Sequence, residues 1–82
     1  GANGITPDIG LTTPDQSEAE VKAAMVASAA RVVCLGDHSK IGLVQLFRFA
    51  PLDAVDVIIT DSGVQDELAD ELAAAGPEVV RA

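Results

Sequence analysis

"RVVCLGDHSKIG", residues 31–42, is an apolar run that stops abruptly at an acid, an imidazole, a hydroxyl and an amine: Asp37, His38, Ser39 and Lys40. The run over 31–37 is short, rich in β-branched residues and bounded by polar groups, which predicts a strand covered on both faces. "VDVIITD", 55–61, repeats the pattern, and "EVVRA", 78–82, is a shorter third instance. Between the last two, Val64, Leu68, Leu72 and Ala75 form one stripe opposite Asp66, Glu67, Asp70 and Glu71, the signature of an amphipathic helix. Ser62 with Gln65 supplies a start signal, and Gly76 with Pro77 a stop.

Working outward, "TTPDQSEAEVKAAMVASAA" predicts an earlier helix with two competing starts, Thr13 with Gln16 or Ser17 with Glu20. Pro14 suits the first helical position if Thr13 is the cap. Val21, Ala24, Met25, Ser28 and Ala29 recur at helical spacing and are expected to face a sheet, with Glu18 and Lys22 toward the edge. Over 41–54, alternation at Val44, Leu46 and Arg48 suggests a short edge strand that Pro51 ends. Helices between buried strands imply an α/β fold: a mainly parallel sheet with flanking helices, Rossmann-like and three-layered, present here as a partial domain.

The 82 residues allow one small domain, in which about 60–65 % of the unfolded chain's surface is buried. The loop-like start "GANGITPD" leads us to expect further chain upstream. Thirteen acids against five Lys and Arg give a net charge of −8, with no basic patch to displace counterions from a phosphate backbone, so this segment is not expected to touch nucleic acid itself. One cysteine forms no intrachain disulfide, and with one histidine no zinc spacing arises. Cys34 reads as a small buried hydrophobe. No membrane span and no signal peptide are visible, and we expect a soluble, cytoplasmic protein that needs no metal or cofactor.

In an open α/β sheet, ligands gather beyond the carboxyl ends of the strands. "ANG" at 2–4, "DHSK" at 37–40 and "TDSG" at 60–63 are expected there, near the start of the first helix and its Thr12 and Thr13 hydroxyls. Lys40 suits a phosphate or carboxylate, or is a solvated turn lysine. Asp37 suits a sugar hydroxyl or merely caps the turn. Asp61 or Ser62 reads foremost as a helix cap. Lys22, near a helix start where the macrodipole disfavours a cation, is either a ligand residue or a partner of Glu18. The "ANG" turn can be a site or a use of Asn and Gly tolerance of positive φ. His38 with Ser39 and Asp37 is a poor triad, because consecutive residues rarely converge on one point.

Taken together, "GANGI", "GLTTPDQSEAEVKAAM", "VVCLGDHSKIG" and "FAPLDAVDVIITDSG", in that order, resemble the C-terminal effector-sensing domain of the DeoR family of bacterial transcriptional regulators. The resemblance covers nearly the whole chain but only the later part of that sensor. It implies an N-terminal winged helix-turn-helix elsewhere in the full protein, through which alone DNA is bound. It also implies a phosphorylated sugar or polyol as effector, a homo-oligomer, and a repressor of carbohydrate metabolism genes.

The sensor is in turn similar to ribose-5-phosphate isomerase. "GDHSK" keeps that enzyme's pattern at Asp37, Ser39 and Lys40, while Asn3 stands for an acid, Thr12 for a lysine and Val21 for the general base. A valine accepts no proton, so isomerisation is not expected. Binding needs only charge and hydrogen bonds, which the resemblance assigns to Asn3, Thr12, Lys22, Asp37 and Lys40. A fragment of an isomerase-like enzyme is the alternative; a half-domain serving mostly oligomer contacts is a third.

Overall fold

The computed structural model describes residues 1–82 as a mixed α/β unit in which two three-stranded sheets share one core. The strands are β1 (Gly4–Thr6), β2 (Gly10–Thr13), β3 (Val33–Leu35), β4 (Phe47–Ala50), β5 (Val57–Thr60) and β6 (Glu78–Arg81). The helices are α1 (Gln16–Ser28) and α2 (Asp66–Ala74), with single 3-10 turns at His38–Lys40 and Leu52–Ala54.

The second half follows the sequence pattern. β3, β5 and β6 lie in the order β3-β5-β6 and pair in parallel, Cys34 beside Ile58 and Ile58 beside Val79. α2 crosses over between β5 and β6, burying Leu72 of the expected stripe with Leu68 and Ala75 half-buried, and burying beside it Ala69, which the stripe did not include. Gly76, at φ +138°, ends it in a conformation that side chains disfavour.

The first half departs from a mainly parallel sheet. β1 and β2 form an antiparallel hairpin, Ile5 opposite Leu11, and β4 adds antiparallel to β2 with a register irregularity between Leu11 and Thr12. β1 and β2, of three and four residues, are rich in Gly and Thr and too short to show a period of two, and so they read as loop. The edge strand expected in 41–54 exists but starts at Phe47. Val44 and Leu46 precede it and are exposed, whereas Ala50 is buried. Ile5 bridges to Ile41 in parallel and Ala2 N–H donates to Leu35 C=O, stitching the two sheets together.

α1 is capped by Asp15, whose Oδ1 accepts the N–H groups of Ser17 (2.8 Å) and Glu18 (3.4 Å), and not by Thr13 or Ser17. Its inner face is Ala19, with Lys22, Ala23 and Val26 half-buried, while Val21 and Met25 stay 60 % and 62 % exposed. The expected face was therefore the wrong one. In a helix this rich in alanine, the contrast that marks a buried stripe is too weak to choose between adjacent faces. β3 is likewise not covered on both faces: Cys34 is buried, but Val33 and Leu35 are 47 % and 55 % exposed. No helix is long and apolar enough to cross a membrane.

Candidate functional site: two loops at the parallel strand ends

β3 and β5 run in parallel, so the segments that follow them emerge side by side. The last rung, Gly36 N–H to Ile59 C=O at 3.2 Å, carries the pairing to the edge of "DHSK". Asp37 then caps the 3-10 turn. Its Oδ1 accepts Ser39 N–H at 2.8 Å and the Ser39 hydroxyl, while its own carbonyl accepts Lys40 N–H at 3.0 Å. Those two Ser39 bonds, with a smaller contribution from the Lys40 charge, hold the Asp37 carboxyl below the usual carboxylate range.

Asp61 is the hub between the loops. Its Oδ2 accepts His38 N–H at 3.1 Å, its Oδ1 accepts Gly63 N–H at 2.8 Å, and His38 Nδ1 meets Oδ1 at 3.0 Å. The backbone N–H of His38, then its ring, then the Gly63 N–H lower the Asp61 pKa. An ionised carboxylate only accepts, so the proton of this contact sits on His38 Nδ1. A Cβ on Gly63 would lie 2.7 Å from the imidazole, and only glycine lets the two loops approach this closely. Neither Asp61 nor Ser62 caps α2. That helix begins after Gln65, which makes no side-chain cap, and Arg81 reaches over to Val64 C=O (3.2 Å) and Asp66 (2.6 Å) at its start.

Lys40 is half-buried and forms no salt bridge, although Asp37 feels its charge. Asn3 lies where the chain passes the end of β3, between Ala2, bonded to Leu35, and Gly4, which packs against Leu43 C=O. The Asn3 amide oxygen accepts the Thr13 hydroxyl at 3.2 Å. Neither Asn3 nor Gly4 has a positive φ, so the turn does not use that tolerance.

Thr12 is 1 % exposed, and its hydroxyl accepts Gln45 N–H at 2.9 Å, holding the 43–46 segment from beneath. Lys22 reaches neither loop nor Glu18. Its amine sits 5.5 Å from the Phe49 ring centroid and its charge acts on Cys34, whose thiol burial pushes up. Asp37, Lys40 and the backbone at Asn3 thus converge on one end of the molecule, whereas Thr12 lies below and Lys22 apart.

The sequence reading missed His38 and Asp61 as a pair, since residues 23 apart in the chain show no spacing signal. It also missed Thr60, whose hydroxyl is buried without a hydrogen-bond partner at the end of β5. Asp37, His38 and Asp61 stand close enough to share a cation, but both Asp61 oxygens and Asp37 Oδ1 already accept backbone N–H groups, and the imidazole is engaged with Asp61.

The DeoR C terminal sensor domain matches residues 1–62. HTH-type transcriptional regulator GlpR of Haloferax volcanii is 40 % identical over 80 residues, 98 % of this chain and 31 % of the relative. HTH-type transcriptional repressor GlcR of Bacillus subtilis is 32 % identical over the same share of both chains. HTH-type transcriptional regulator IolR of Bacillus subtilis is 39 % identical over 66 residues, covering 80 % of this chain and 26 % of its own. The chain therefore spans about a third of the length of GlpR and GlcR. All three relatives are named as transcriptional regulators or repressors. The segment belongs to the DeoR family of transcriptional regulators, as part of its C-terminal sensor domain.

Proposed function

We propose that this segment forms one wall of an effector site for a phosphorylated sugar or polyol, at the carboxyl ends of β3 and β5. The observation that carries the reading is Lys40: a half-buried lysine without a carboxylate partner, on a turn pinned from one side by Asp37 and from the other by the His38–Asp61 contact. An anion meeting Lys40 gains a charge-assisted hydrogen bond without first breaking an ion pair. Asp37 and Asn3 accept from ligand hydroxyls. The buried, unpartnered Thr60 hydroxyl adds a group that gains from a polar neighbour.

Thr12 supports this wall from below, and Lys22 acts on the ligand only through the packing of α1 on β4. In the full-length regulator, working in the cytoplasm, DNA is held by the helix-turn-helix domain. The ligand favours one arrangement of a homo-oligomer and releases a repressed operator by linkage. The word "repressor" in the name of GlcR supports the sign of that response.

The test is a thermal-shift and calorimetric screen of sugar and polyol phosphates against the intact sensor, repeated with Lys40→Ala. Stabilisation by a phosphorylated compound that Lys40→Ala weakens is the expected outcome. If none stabilises the protein and none alters operator binding, the reading fails.

A further inference from the structure

The outer edge of β3 is an unfinished ladder. Val57 N–H donates to Val32 C=O at 3.2 Å, and Gly36 N–H donates to Ile59 C=O. Backbone groups alternate sides along a parallel strand, so those two rungs turn the N–H and C=O of Val33 and Leu35 away from β5. One of those outward groups is already used: Ala2 N–H donates to Leu35 C=O at 3.4 Å. The rest of the outward edge, from Leu35 N–H back to Val33, has no strand beside it.

Beside this edge lies an open, mostly apolar groove of about 260 Å³ between α1 and β3. It starts at Gly1 and is walled by Met25, Val26, Ala29, Val33 and Cys34. The outward face of α1 adds Val21, and Val33 and Leu35 add their own exposed side chains. Folded domains rarely leave an apolar groove and an open parallel edge side by side without an occupant.

We infer that the occupant is the chain that precedes Gly1 in the full-length regulator, running parallel to β3 along its outer edge as a fourth strand of that sheet. The matched domain is described as C terminal and the segment spans 31 % of GlpR, so chain lies ahead of it. The Ala2–Leu35 bond is the first rung, and the groove begins at Gly1 and leads back along β3 toward Val33. Residues arriving at Ala2 along that path run in the direction of β3. Their inward side chains, apolar and preferably β-branched, fill the groove against Met25 and Val26. A second copy of the molecule would have to compete with a segment tethered at Gly1, whose effective concentration is in the millimolar range.

The inference stands apart from the effector proposal, because it concerns an edge and a groove and not the Lys40 loop. It is tested by amide hydrogen exchange on the full-length protein at two concentrations. The Val33 and Leu35 amides are expected to exchange about 100-fold or more slowly than the exposed Leu46 amide, equally at both concentrations. Exchange of Val33 and Leu35 as fast as Leu46, with Ile58 and Ile59 still protected, would mean an unpaired edge and would overturn the inference. Protection that appears only at the higher concentration would assign the edge to a second copy and overturn it equally.

Discussion

The two sheets contrast in how far they are finished. Every residue of β1 and β2 is buried, and Leu11, Thr12 and Thr13 are almost sealed from solvent under α1 and β4. In the parallel sheet only the central strand is comparably covered. Val57, Ile58 and Thr60 are buried, while β3 shows Val33 and Leu35 to solvent and β6 is mostly exposed. In the antiparallel sheet β1 and β2 form a buried scaffold with β4 as its more exposed edge, whereas the parallel sheet carries both the apolar open edge of β3 and the loops that bear Lys40. Both proposals made above, the effector wall and the upstream strand, fall on the incomplete layer.

That contrast is broken or sharpened by substitutions on either side of it. Leu11→Ala, at 2 % exposure in the buried scaffold, is expected to cost about 2–5 kcal/mol by urea denaturation. Val33→Ala at the open edge should cost well under that in the segment alone. It should cost more in the full-length protein if the upstream chain covers the edge. Equal penalties for Leu11→Ala and Val33→Ala in the segment would erase the distinction between the sheets.

Thr12→Val comes next. It strips the acceptor from Gln45 N–H and is expected to cost about 1–3 kcal/mol, as read from the unfolding midpoint. Gly63→Ala pushes a methyl toward the His38 ring, which is exposed enough to swing aside. The expected result is a loss of about 1 kcal/mol or less, accompanied by a larger loss of effector affinity, because the Lys40 turn keeps only the His38 backbone N–H bond to Asp61 and loses the ring contact.

The smallest effect is on pH dependence. The folded pKa values of Asp37 and Asp61 are depressed below the ordinary carboxylate value, so their stabilisation is present above that value and is lost as pH falls through the lower folded values. Asp61→Asn should flatten the acid side of a plot of melting temperature against pH, and an unchanged acid limb would remove Asp61 from its role as hub.

The parts legible in the sequence are those whose signals are local. β5 is a run of large β-branched residues, α2 sets leucines against a row of acids, and Asp37 is followed two places on by the serine it binds. Other features depend on what lies across the molecule. The hairpin of β1 and β2 is too short and too rich in Gly and Thr to carry a period. Asp61 looks like a helix cap until β3 and β5 bring His38 beside it. Val21 and Met25 look like core because they are apolar at helical spacing, but the face they form is turned outward.

The most direct measurement is calorimetric titration of the intact sensor with the sugar or polyol phosphate that stabilises it most, on wild type and on Lys40→Ala. Loss of one charge-assisted hydrogen bond to phosphate predicts affinity weakened about tenfold to a hundredfold, with the fold intact. Equal affinity for the two proteins would contradict the account, because the one unpaired cation of the strand-end loops would then play no part in binding.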